Sequence, residues 1–193
     1  MKEYDIIIAI DPGLTGAIAI FEGDNEPKIH PIPLKTIIRN KKNKKIYNYE
    51  EIVNILKPYK GKLVYYGLEV QGVRPGEGGV SAMTNGTGYG FLQGVGYAME
   101  FDVNLIHPKT WKKIYPEMIT EEAKKMIEEK KIKTKTKKEK DKLTRLIKAS
   151  AKAQARKIST DMYPTLAKEF IRVKDDGKAD AVLIGNFIIK GNV

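Results

Sequence analysis

The chain opens on an almost unbroken apolar run, Ile6-Ile7-Ile8-Ala9-Ile10, which stops at Asp11-Pro12-Gly13 and resumes as Ala17-Ile18-Ala19-Ile20-Phe21. Short runs rich in β-branched residues on either side of a Pro-Gly turn predict strands over 5–10 and 17–21 joined as a hairpin. A third strand is expected within 29–38, and Asn40-Lys41-Lys42-Asn43-Lys44-Lys45 then reads as an exposed loop or hairpin tip. Asn48 and Glu51 stand at capping-box spacing before a helix carrying Ile52, Val53, Ile55 and Leu56, which Pro58 should stop. The next apolar run, 63–70, predicts a fourth strand ending near Glu69.

From Gly72 to Gly79, four glycines and a proline predict a loop. Residues 81–99 have helical character, with Gly86, Gly90 and Gly94 at four-residue intervals on one face. Close packing is expected there, either on the sheet of the same subunit or against the helix of a second copy. A strand over 103–106, helices over 117–131 and 139–158 separated by Lys133-Thr134-Lys135-Thr136-Lys137, a short helix over 165–171 and a last helix over 178–189 complete the reading. The order βββαβαβα predicts an α/β fold in which a mixed sheet, antiparallel at first and parallel afterwards, is covered on both faces.

At 193 residues the chain has room for one substantial core, so 1–193 is expected to be a single domain with a basic helical elaboration at about 117–158. The absence of cysteine excludes disulfides, thiolate zinc sites and cysteine nucleophiles. Together with a start, Met1-Lys2-Glu3-Tyr4-Asp5, that lacks a signal-peptide pattern, it leads to the expectation of a soluble, cytoplasmic protein with no membrane partner. Charge is unevenly placed. Between Lys124 and Lys157, 15 Lys and Arg face 4 Asp and Glu, an excess of 11 that equals the net charge of the whole chain, +11. A solvated Lys-rich helix explains such a stretch as well as a polyanion partner does, until the acids are considered.

Asp11 ends the first strand, Glu69 ends the fourth, and Asp176 and Asp180 flank the start of the last helix. If the first and fourth strands are parallel neighbours, Asp11 and Glu69 emerge at one carboxyl-terminal edge, where open α/β sheets place their ligands. Asp176 and Asp180, four residues apart, share nearly one helix face, whereas Asp175 points elsewhere; Gly177 also allows Asp176 to be a helix cap. Each acid alone has a plain reading as a turn or helix cap, but Glu69 at the end of an apolar strand must be paired, metal-bound or solvated. Carboxylates crowded together repel unless a hard cation joins them, and oxygen ligands favour Mg2+, with Mn2+ as its substitute. Two such ions roughly 4 Å apart activate water and stabilise the leaving oxygen in phosphodiester hydrolysis.

These segments resemble the RuvC-type Holliday junction resolvases, in their phage-encoded branch, within the RNase H-like superfamily. Ile8-Ala9-Ile10-Asp11-Pro12-Gly13-Leu14-Thr15-Gly16-Ala17 is similar to the family's first-strand motif and Leu68-Glu69-Val70-Gln71 to its second acidic motif. The stretch from Val103 to Lys112, with its P-x-x-W-K element, and Asp176-Gly177-Lys178-Ala179-Asp180-Ala181 resemble the later motifs. The resemblance implies a mixed five-stranded sheet flanked by helices, and Asp11, Glu69, Asp176 and Asp180 as metal-binding catalytic acids. It also implies a homodimer that cuts four-way DNA junctions with paired nicks, with Lys109 or Lys112 at the scissile phosphate. Trp111 reads equally as a core anchor beneath those lysines. Cellular members close on Asp-x-x-Asp where this chain has Asp-x-x-x-Asp, and they carry an aromatic wedge where this chain has Gly72. Three other functions compete: a flap or fork nuclease, a junction-binding protein without catalysis, and an actin-like kinase using the Asp11-to-Gly16 turn for ATP phosphates. The last usually needs two such domains.

Overall fold

The computed structural model describes residues 4–39, 41–73, 76–132 and 136–191. The readings made on Met1-Lys2-Glu3, on Asn40, on Arg74-Pro75 and on Lys133-Thr134-Lys135 lie outside them.

Five strands form one mixed sheet: β1 (Ile6–Asp11), β2 (Ala17–Glu22), β3 (Lys28–Pro31), β6 (Val64–Glu69) and β7 (Asp102–Ile106), in the order β3-β2-β1-β6-β7. β1 pairs antiparallel with β2, β2 antiparallel with β3, and β1–β6 and β6–β7 are parallel. This is the expected mixed sheet. β1 lies at its centre with both faces covered, which is why it is apolar throughout. Ile8 and Ile10 pack with Ile52, Leu56, Leu92 and Val95, from α1 (Tyr49–Leu56) and α2 (Gly79–Ala98). Ala9, on the other face, packs with Ala181, Ile184 and Trp111, from α6 (Asp176–Ile189) and α3 (Pro108–Trp111). Each buried Ile contributes about 1.5–3 kcal/mol of transfer free energy. The parallel register sets Ile10 opposite Leu68, so the next residues, Asp11 and Glu69, leave the sheet side by side at one edge.

Above that edge sits the start of α6, held by a backbone contact. Gly16, in the β1–β2 turn, forms an isolated parallel bridge with Gly177. A Cβ on Gly177 would stand 2.2 Å from the Thr15 carbonyl oxygen and 2.5 Å from Gly16 Cα. A Cβ on Gly16 would meet the Asp11 carbonyl oxygen at 2.0 Å. Neither position has room for a side chain, and this closeness brings the Asp176–Asp180 turn of helix to Asp11.

Several expectations need correction. The third strand stops at Pro31, and the region beyond it is a separate two-stranded ribbon, β4 (Leu34–Arg39) with β5 (Lys42–Tyr47); of the loop and the hairpin tip expected there the described residues fit the hairpin, with Lys42 to Lys45 already inside β5. Pro31 and Pro33, which lack the N–H a ladder needs, explain the break. Asn48 caps α1 without a side-chain hydrogen bond, so the capping box is absent; the α-helix itself ends at Leu56, before Pro58 as expected, and a 3-10 turn, Lys57–Tyr59, follows it. Gly86, Gly90 and Gly94 meet nothing within 4 Å, so the close packing expected there inside the subunit does not occur; Gly88 and Gly96 pack instead, on Tyr47 and on Tyr66 with Val103. The basic segment forms α4 (Glu121–Ile132) and α5 (Lys137–Met162), and Thr136 and Glu139 make a genuine capping box at the start of α5. Residues Pro164–Phe170 are 3-10 rather than α-helical. No helix among the described residues is long and apolar enough to cross a membrane.

Replacing Gly177 with Ala should push α6 off the β1–β2 turn. Overpacking of this kind costs about 1–3 kcal/mol. At about 2–4 °C per kcal/mol for a chain of this size, a clear drop in melting temperature by circular dichroism is expected. An unchanged melting temperature would show that the turn and helix can separate freely.

Candidate active site

Strand β1 delivers Asp11, β6 delivers Glu69, and the first turns of α6 deliver Asp176 and Asp180. All four line one cleft of about 360 Å³, together with Thr15, Gln71, Lys112 and Lys152. The Gly13 N–H donates to Asp11 Oδ1 at 3.2 Å, so the turn's backbone orients that carboxylate. Glu69 Oε1 accepts from the indole Nε1–H of Trp111 at 2.8 Å. Trp111 itself is fully buried, edge-on to Tyr115 with centroids 6.1 Å apart, and Tyr115 donates to the Leu183 carbonyl at 2.8 Å. Trp111 is thus both a core anchor and the residue that orients Glu69.

Asp180 is the electrostatic centre of the cleft. Burial pushes its carboxyl up to about 7, Asp11 and Glu69 push the same way by repulsion, and Lys112 and Lys152 oppose them. Three carboxylates that resist sharing negative charge form a hard-oxygen set to which a divalent cation is the natural complement. Among the described residues no three acidic or imidazole side chains are already drawn in to the spacing of a metal shell. No histidine lines the cleft; His107 is the cap of α3, its Nδ1 accepting from the Lys109 N–H at 3.2 Å.

Asp176 is placed differently from the other three. It is buried and paired with two cations of α5: Lys152 Nζ lies 3.0 Å from its Oδ2, and Arg156 donates to its Oδ1. Asp175 faces away from the cleft, where hydrogen bonds from Arg172 hold its carboxyl down to about 2. The pair Asp176–Asp180 is therefore the one at the cleft.

Of the two lysines expected near a phosphate, Lys112 lines the cleft, its Nζ 4.8 Å above the Trp111 ring, while Lys109 is exposed and outside the lining. Lys152 and Arg156 were not singled out from the sequence. Their i,i+4 spacing on the basic helix was the available signal, since it puts both on one face, beside Ala155 and Ile158, which are buried against α6.

Among the solved structures to which the chain is similar are two of one protein. Thermus thermophilus RuvC is similar over 97% of both chains, at 13% identity and a TM-score of 0.47. T. thermophilus RuvC in complex with Holliday junction substrate is similar over 97% of both chains, at 13% identity and a TM-score of 0.44. No family model matches the chain, and no curated protein does.

Proposed function

We propose that the protein is a metal-dependent endonuclease that cuts branched DNA, four-way junctions above all. The observation that carries this reading is the meeting of Asp11, Glu69 and Asp180 in one cleft flanked by Lys112 and Lys152, with the Asp180 carboxyl driven up by burial and then by the charge of Asp11 and Glu69. Asp11, Glu69 and Asp180 would hold Mg2+ or Mn2+, and a bound ion there would supply a polarised water and charge to stabilise the departing sugar oxygen. The chain's own residues do the rest. Lys112 and Lys152 at the rim attract a phosphate and offset the acids' field, and Trp111 keeps Glu69 aimed at the cleft. Asp176 could join the ligand set only by exchanging Arg156 and Lys152 for the ion. The basic helices α4 and α5, an elaboration of one nuclease domain, hold a DNA arm by counterion release.

A homodimer completes the reading, because paired nicks need two clefts. Helix α2 offers a surface for it. Val80, Met83, Thr87, Gly90, Gly94 and Tyr97 recur at alternating steps of three and four, and all six are exposed, on the side opposite Leu92 and Val95. That is the seam of a helix pair, with glycines that let two backbones approach.

Incubation with four-way, flap and duplex DNA, with and without Mg2+, is the deciding experiment. Symmetric paired incisions in the four-way junction alone are expected; uncut junction, or equal cutting of all three, would defeat the junction-resolving reading. Asp11→Asn, Glu69→Gln and Asp180→Asn should each lower cutting by about a hundredfold or more. If they cut like the parent, the cleft is not the active site.

Cation binding has its own readout. Saturating Mn2+, at about a hundred times its dissociation constant, should stabilise the protein by about 2.7 kcal/mol. In the absence of cation, Asp180→Asn should melt at a higher temperature than the parent, since a buried repulsive charge is gone. Added Mn2+ should then raise its melting temperature little. A full Mn2+ response in Asp180→Asn would remove that residue from the ligand set.

For the dimer, sedimentation velocity should give a two-chain species that Gly90→Arg converts to monomer. A parent that sediments as a monomer at micromolar concentration would count against the α2 seam.

A further inference from the structure

Cations also gather where none of the chemistry above uses them. The ribbon β4–β5 carries Lys35, Arg39, Lys41, Lys42, Lys44 and Lys45 and no acidic residue. Among the described residues none of the six is paired with a carboxylate; Lys44 donates to Thr84 Oγ1 on α2 at 2.9 Å. The base of the ribbon is fixed to the active-site turn. Tyr47, buried beside Gly88, donates its hydroxyl to the Pro12 carbonyl at 2.8 Å, one residue from Asp11. The Asn48 N–H closes the base on the Pro33 carbonyl at 2.8 Å.

At that base opens a second groove of about 360 Å³, bordered by Thr15, Lys45, Arg172, Lys174, Asp175 and Lys178. Thr15 borders the acidic cleft as well, so the two depressions meet across a single residue. Asp175 occupies Arg172 at 2.9 Å and Lys178 at 3.5 Å, and Lys178 also reaches Glu169 at 2.6 Å. Lys45 and Lys174 are exposed and, among the described residues, have no carboxylate partner. A groove that continues an acidic, metal-suited cleft and bears two uncommitted ammonium groups suits a chain of phosphates better than a lone anion. It offers spaced point charges at the rim instead of a closed cage.

We propose that this groove carries the sugar-phosphate backbone of the cleaved strand as it leaves the active-site cleft across Thr15, with Lys45 and Lys174 as its phosphate contacts. The proposal rests on the nuclease reading above and extends it to a strand path.

The test is junction binding in cation-free buffer over a range of salt concentrations, for the parent, for Lys45→Glu/Lys174→Glu and for Lys60→Glu/Lys62→Glu. The last pair makes the same change of charge beyond the opposite end of β6 from Glu69. The groove variant should bind roughly tenfold more weakly at about 0.1 M salt, with a salt slope flatter by about 1–2. The control should bind like the parent. All three should show the same melting temperature rise with Mn2+, which separates loss of the strand path from damage to the cleft. Unchanged binding by the groove variant, or an equal loss in the control, overturns the proposal. So does stabilisation by inorganic phosphate that disappears in the groove variant while junction binding persists, which would make the groove a small-anion site. A parent that binds no branched DNA removes the nuclease reading and the proposal together.

Discussion

Everything at the cleft depends on two backbones touching where no side chain fits. The carboxylates come from a strand end, a second strand end and a helix that starts more than a hundred residues later in the chain. Parallel pairing fixes the first two relative to each other, but nothing in a sheet fixes a helix above its edge. The bridge between Gly16 and Gly177 does that, because its 2.2 Å and 2.5 Å limits leave only glycine at the crossing. A side chain at Gly177 would press on Thr15 and Gly16 and lift α6, and one at Gly16 would clash with the Asp11 and Gly13 carbonyls and distort the turn that carries Asp11. The two glycines thus convert fold geometry into electrostatics.

The electrostatics then follow from distance and burial. Burial first, and then the nearby carboxylates of Asp11 and Glu69, drive Asp180 toward neutrality. Asp176, one helical turn away, is paired with Arg156 and Lys152 from α5. The basic helix is therefore no mere solvated appendage, since its inner face supplies counter-charge to the cleft while its outer face remains available to a polyanion.

The sheet was legible because its signals are local. Apolar runs bounded by Asp11-Pro12-Gly13 and by Glu69 mark strands whatever surrounds them, and parallel pairing of β1 with β6 follows from the helix between them. The acids Asp11, Glu69 and Asp180 could be chosen for the same reason: each ends or begins an element. What could not be read was tertiary. The ribbon β4–β5 could be read only as a loop or a hairpin tip because its outward residues are lysines; its full ladder and the packing of Tyr47 on Gly88 are set by tertiary contact. Gly86, Gly90 and Gly94 invited an intrasubunit contact that Gly88 and Gly96 make instead, because which face of a uniformly small helix meets the sheet depends on its partners and not on its own pattern. Lys152 and Arg156 were hidden among 15 cations, because their i,i+4 spacing does not by itself say which face of the helix meets α6.

The distribution of charge gives these observations a common direction. Acids concentrate in a cleft; lysines cluster on the ribbon at one side and on α5 at the other. A mononucleotide would need one compact cradle of donors, whereas an extended polyanion needs attraction along a path and a cation only at the point of reaction. A basic surface leading through an acidic centre would repel phosphate at the very point where it must bind unless that centre holds a cation. Under the proposed function, strand binding and cation binding would therefore support each other, with Thr15 at the junction of the cleft and the groove beside it.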